Sequence, residues 1–271
     1  MVFPTVAILR FFAFALWTLL LLLPYLVLRA VSRGGALTFT RAYWRVVMRL
    51  IGFEAVVRGA PLEGAEAGPV LFVSNHASYL DIIVLGSLLR AYFIAKGEVA
   101  GWPAFGFLAR ISNTVFVDRA KGATARESNH VRERIDRGDS LVLFAEGTSN
   151  DGNRVLPFKS ALLSVAEAEV VAADGDVRPL VVQPVSVAYT RLDGLPMSRA
   201  LRPFFAWYGD MTLAGHLIGA LGLGKVTVEV EFHSPVTLAQ FGSRKGLANH
   251  CHAVVAHGVT RMLAGRLPAE S

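Results

Sequence analysis

The sequence predicts a single α/β domain with a largely parallel central sheet, preceded by an N-terminal membrane-anchoring helix. Three observations carry that expectation. From residue 53 onward, short apolar runs alternate with stretches of helical periodicity, the pattern of parallel strands joined by crossover helices. Ahead of them, Phe11 to Leu28 carries no charge and lies between Arg10 and Arg29, close to the roughly 20 apolar residues a membrane span requires. Composition agrees with both. Of the 271 residues, 53% are apolar and 18% charged, against about 25% charged in an average soluble domain, and mean hydropathy is +0.46. This argues against disorder, low complexity and an ordinary cytosolic globule, and for a chain that meets lipid.

The leader comes first. A secretory signal fits poorly, because its apolar region runs about 7–15 residues to a small-residue cleavage site, where this chain has Arg29 and Arg33. The run either crosses the bilayer or turns at Pro24 and lies in one leaflet. Arg10, Arg29, Arg33, Arg41, Arg45 and Arg49 all precede Glu54, the first acidic residue. The formal net charge of +6 therefore resides in the leader, and the rest of the chain balances. Basic residues that follow an apolar run orient it. They place the body at the cytoplasmic face of the inner membrane, with the arginines against anionic headgroups. Thr38 to Ile51 reads as an amphipathic helix, with Tyr43, Val46, Val47 and Leu50 on one side and Arg41, Arg45 and Arg49 on another, suited to lying on the membrane surface. Residues 1–52 thus form the anchor and basic helix, and 53–271 the folded domain, with its motifs concentrated in 70–190.

Within that domain the expected strands are Phe53–Val57, Val70–Ser74, Tyr92–Ala95, Thr114–Val117, Leu141–Ala145, Leu180–Val187 and Val226–Phe232. Helical patterns fall at Tyr79–Arg90, Trp102–Ile111, Ala123–Arg137, Lys159–Ala168 and Lys245–Leu263. Pro184, inside an apolar run, suggests an edge or irregular strand. Phe204 to Gly224 is a second greasy stretch, open between a buried helix and a second membrane-contacting element. The lone Cys251 excludes an internal disulfide and suggests a reducing compartment.

Functional residues of such sheets collect at the carboxyl ends of strands, and four blocks fall there. Asn75-His76-Ala77-Ser78-Tyr79-Leu80-Asp81 follows the strand ending at Ser74 and opens a helix. A carboxylate five residues beyond a histidine can reach back to its ring, fix its tautomer and strengthen it as a general base. The spacing equally fits an N-cap histidine with an aspartate in the helix dipole. Asn113 to Arg119 is a strand ending in the pair Asp118–Arg119. Leu141 to Ser149 runs from a strand into Glu146, Gly147, Thr148 and Ser149. The fourth block is Val181 to Val187 around Pro184.

In this order the blocks resemble the glycerolipid acyltransferase family that includes lysophosphatidate acyltransferases. The resemblance covers roughly residues 53 to 190. It implies acyl transfer from acyl-CoA or acyl carrier protein to a lipid hydroxyl, without cofactor, metal or covalent enzyme intermediate. It also implies that His76 is the general base and Asp81 its orienting partner, while Arg119, Glu146, Gly147 and Thr148 line the acceptor site. The chemistry is consistent. An alcohol attacks a thioester poorly until its proton is removed, whereas a thiol of pKa near 8.5 leaves with little assistance.

One departure bears on the acceptor. The family's third block usually ends Glu-Gly-Thr-Arg, and the arginine helps hold a phosphate; here Ser149 stands in its place. A hydroxyl cannot make the bidentate charge-assisted contact of a guanidinium. The wording resembles the branch acting on lyso-ornithine lipid, which lacks phosphate. Arg154 or Lys159 could still reach a phosphate from further along the loop, so lysophosphatidate remains the alternative acceptor. A non-enzymatic lipid-binding protein and a thioesterase are the rivals in function.

Other signals are weaker. Gly219 to Val226 nearly matches a phosphate-binding loop but ends in Val226, which cannot hold magnesium, and precedes a strand instead of a helix. His250, Cys251, His252 and His257 share one helical pattern, but the first three point in different directions, so a surface cluster is expected instead of a metal site. No Gly-x-Ser-x-Gly is present, which argues against a hydrolase nucleophile elbow. The aromatics among Arg41–Arg49 fit headgroup contact better than nucleic acid.

Overall fold

The structure, a computed structural model, describes residues 3–64, 67–102, 105–112, 114–117, 125–171 and 175–265. Two helices lead, α1 (Pro4–Val31) and α2 (Arg33–Leu50). The domain continues with β1 (Phe53–Arg58), β2 (Val70–Ser74), α3 (Leu80–Leu88), β3 (Tyr92–Lys96), α4 (Phe105–Ile111), β4 (Val115–Val117), α5 (Ala125–Asp136) and β5 (Leu141–Phe144). After a 3₁₀ helix at Ser160–Glu167 come β6 (Glu169–Val171), β7 (Val177–Pro179), β8 (Val181–Leu192), β9 (Leu195–Pro196), α6 (Leu213–Leu221), β10 (Val226–Phe232), β11 (Val236–Thr237) and α7 (Arg244–Leu263).

The main sheet runs β1-β10-β8-β2-β5-β3-β4, with β9 and β11 also on β8, while β6 and β7 pair separately. Pairings on either side of β2, and outward through β5, β3 and β4, are parallel; β10 and β8 are antiparallel. Every residue of β2 and β5 is buried, as continuous apolar runs covered on both faces must be. Alternation then divides the core. Val70 and Phe72 pack toward α2 and α3, and Leu71 and Val73 toward α5 and α7.

Pro184 is a correction. It occupies central strand β8, opposite Val73 of β2. On its other side β10 ends its pairing at Val185 and β11 begins at Val182. The missing N–H thus falls where one partner leaves and the next arrives, and only the carbonyl is used, accepting from His233 N–H at 3.0 Å. The stretch Lys159–Ala168 is 3₁₀ rather than α-helical.

The leader's arginines also serve the fold. Arg10 donates to the carbonyls of Leu221 and Leu223 at 2.9 and 2.7 Å, at the end of α6. Arg29 donates to Ile111 at 2.9 Å, the end of α4, and Arg45 to Ser87 at 2.9 Å, in the last turn of α3. Helix C-termini carry unpaired carbonyls and negative dipole ends, which cations satisfy. Arg33 pairs with Asp139 at 2.6 Å and Arg41 with Glu63 at 2.9 Å. The helix α2 packs on α3 so closely that a Cβ at Gly86 would stand 2.6 Å from Trp44.

The helix α1 runs unbroken through Pro24 and is held at both ends, by Phe3 N–H on Gly222 (2.9 Å) and by Tyr25 and Arg29 on Ile111. It therefore lies along the domain. Its outer face, including Leu9, Phe12, Leu19 and Leu23, is exposed, and only 6% of its most apolar window is buried. That surface associates the protein with a membrane. Within Phe204–Gly224, α6 buries Ala220 and Leu221 and leaves Ile218 exposed, and the residues before it reach the site described next.

Candidate active site

Central strand β2 delivers the histidine. Past its last residue, Asn75 extends the ladder with its side chain: Oδ1 accepts from Val187 N–H and Nδ2 donates to the Val187 carbonyl, both at 2.9 Å. His76 emerges at the carboxyl edge with its ring stacked on Phe144, centroids 4.0 Å apart. Its Nδ1 lies 2.9 Å from Asp81 Oδ2, in the first turn of α3.

Asp81 is 1% exposed. Besides the imidazole, Oδ2 accepts from Ala77 N–H at 2.8 Å and Ser78 N–H at 2.9 Å, and Oδ1 accepts from Tyr189 Oη at 2.8 Å. A carboxylate ringed by donors assigns the proton to His76 Nδ1 and the lone pair to Nε2, the tautomer a base requires. Burial, and then the neighbouring Asp81, push the Tyr189 hydroxyl well above its ordinary range, so it stays a donor.

Glu146 departs from its expected place in the acceptor site. Its side chain is 1% exposed and lies beneath the site. Oε1 accepts from His76 N–H at 2.9 Å; Oε2 accepts from Asn150 Nδ2 at 2.6 Å and Leu156 N–H at 3.0 Å. It ties the histidine's backbone to the loop after β5. Burial raises its pKa to about 7 against the lowering effect of those three donors. Gly147 turns that loop at φ +73°, a conformation glycine adopts without strain.

Above these groups lies a cavity of about 430 Å³, within the range of about 300–1,000 Å³ typical of small-molecule sites. His76, Gly147, Thr148 and Ser149 line its mouth; Ile82, Phe93, Phe144 and Leu108 line its interior, with Phe14 and Trp44 from the leader. Lys159 is not among the lining residues; its side chain lies behind Gly147. Arg119 falls outside the described residues. The Ser149 hydroxyl donates to the Trp207 carbonyl at 2.5 Å.

Sequence reasoning missed three contributors. Tyr189 continues the alternation of Val185 and Val187 on β8, a signal present but not followed to the strand's end. Trp102 and Trp207 also line the cavity. Nothing local marks Trp207, which comes from 58 positions beyond Ser149 in the chain. As for the histidines of α7, His250 stacks on Phe241, Cys251 is fully buried and His252 meets Phe158 edge-on. They diverge as expected, but Cys251 is core instead of surface, and burial pushes its thiol up to about 12.

Residues 54–188, which hold His76, Asp81, Glu146 and the loop after β5, match the family model described as Acyltransferase. The chain belongs to the acyltransferase family. It is similar to the lyso-ornithine lipid O-acyltransferase of Brucella abortus (strain 2308), with 44% identity over 83% of this chain and 82% of that protein. It shares 31% identity with the 1-acyl-sn-glycerol-3-phosphate acyltransferase of Neisseria gonorrhoeae over 73% of this chain and 70% of the relative. The fold matches the crystal structure of the 1-acyl-sn-glycerophosphate acyltransferase PlsC from Thermotoga maritima, with a TM-score of 0.65 over 98% of this chain and 97% of the other, at 22% identity.

Proposed function

We propose that this acyltransferase moves a fatty acyl group from an acyl-carrier-protein or acyl-CoA thioester to the free hydroxyl of lyso-ornithine lipid. It works at the cytoplasmic face of the membrane in which α1 rests, where such thioesters are found. The observation that carries the reading is the His76–Asp81 pair opening onto an apolar cavity whose mouth has Ser149 in place of a guanidinium. Similarity to a lyso-ornithine lipid enzyme supports the acceptor.

In the reaction, His76 Nε2 takes the proton from the acceptor hydroxyl as its oxygen attacks the thioester carbonyl. The tetrahedral adduct collapses, the C–S bond breaks, and the thiolate leaves to take up the proton. Asp81 stabilises the imidazolium that forms in between. The cavity holds hydrocarbon in the orientation that brings hydroxyl and carbonyl together, the entropic part of catalysis. Gly147, Thr148 and Ser149 shape the mouth around the acceptor, and Arg119 stands as a further acceptor contact.

The test is an acceptor panel of lyso-ornithine lipid and lysophosphatidate with one common donor. Wild-type protein is expected to acylate lyso-ornithine lipid with the higher kcat/KM, and His76→Ala and Asp81→Ala to lose about 10²–10⁴-fold in rate. Preference for lysophosphatidate would overturn the acceptor; full activity in either variant would overturn the mechanism. Thiol release without any added lysolipid would identify a thioesterase.

A further inference from the structure

Residues 207–209 line the cavity and are pinned there from both sides. Trp207 N–H donates to the Ala77 carbonyl at 2.8 Å, beside the catalytic histidine. Its own carbonyl accepts from Ser149, and its indole N–H donates to the Met211 carbonyl at 2.9 Å. The indole then meets that of Trp102 at an interplanar angle of 81°, centroids 5.1 Å apart, with Tyr79 edge-on at 6.0 Å. Trp102, Trp207 and Tyr79 all line the cavity with His76.

The charges available there are few. Among the described residues that line the cavity, Lys96 and Glu98 are the formally charged ones, and they bond to each other at 3.1 Å. An acceptor seated with its hydroxyl at His76 therefore meets aromatic faces. Such faces carry negative quadrupole density and attract cations.

We propose that Trp102 and Trp207 read the acceptor's ammonium group, and that Ser149 is the positioning residue that holds Trp207 for this task. The inference rests on the acceptor reading above. An N-acylated ornithine keeps one carboxylate and one side-chain ammonium, and the ammonium is the feature that a phosphate-bearing acceptor lacks. Position 149 thus acts on specificity twice: it lacks the cation that would hold phosphate, and it places the ring that holds an amine.

The experiment compares lyso-ornithine lipid with the same lipid acetylated on its side-chain amine, using full-length protein and one donor. Wild type is expected to show a KM about tenfold lower for the free amine, in keeping with a partly desolvated cation–π contact. In Trp207→Leu and Trp102→Leu that difference is expected to vanish, because KM rises for the free amine and not for the acetylated lipid. Trp207→Phe keeps a ring and should retain most of the discrimination; Ser149→Ala should lose part of it. Equal KM values for the two lipids in wild type would overturn the proposal, as would a loss in Trp207→Leu that is the same for both. A wild type inactive on either form of lyso-ornithine lipid would overturn the acceptor reading itself, a result distinct from activity without discrimination.

Discussion

Tyr189, Asp81 and His76 form a relay in which each group fixes the next, and the outermost member is the most informative to change. Tyr189→Phe removes one of the donors on a buried carboxylate while preserving shape. A hydrogen bond to a charged group contributes about 1.5–3 kcal/mol, so kcat is expected to fall roughly tenfold or more, with KM little changed, in steady-state assays. Glu146 gives a pH-dependent counterpart. Burial holds its folded pKa near 7, above the 4.5 of the free side chain. The native state therefore binds more protons than the unfolded chain between those values, and this group's contribution to stability falls as pH rises from 4.5 to 7. Thermal melting across that range is expected to show the slope, and Glu146→Gln to abolish it. The same variant should lower activity at every pH, because its amide would face the N–H groups of Asn150 and Leu156.

At the scale of elements, close packing and helix-end chemistry join the leader to the domain. Gly86→Ala would drive a methyl into Trp44. Overpacking of this kind costs about 1–3 kcal/mol, or roughly 2–4 °C of Tm per kcal/mol in a chain of this size. A larger loss of activity than of stability is expected, since Trp44 and Gly86 both line the cavity. Removing the guanidinium in Arg45→Leu deprives the last turn of α3 of one of its two arginines and should lower Tm by a few degrees in calorimetry. The elements themselves were readable in advance wherever pattern and environment agree. β2 and β10 have the boundaries expected from their apolar runs, because buried strands end where apolar residues end. Pro184 was misplaced because its rule concerns the missing N–H, and whether that N–H is needed depends on where β10 and β11 fall beside it.

Over the whole molecule, the exposed side of α1 faces outward along its length, with both ends attached to the domain. Replacing Leu16, Leu20 and Leu23 with glutamate alters exposed positions only. Vesicle flotation is expected to be lost while the fold persists by circular dichroism; unchanged flotation would assign membrane contact elsewhere. Deleting residues 1–31 should do more, since Phe14 and Tyr25 form part of the cavity wall. By itself the sequence determined the α/β class and the apolar leader and offered the His76–Asp81 pair beside an N-cap reading, because strand and helix periodicities and a five-residue reach along the chain are local properties. Only the tertiary structure decided what the leader's arginines bind, why Glu146 is buried, and that Ser149 grips Trp207. Each of those depends on which distant backbone arrives at the carboxyl edge of the sheet, and hydrogen bonds of that kind leave no periodic trace in the chain.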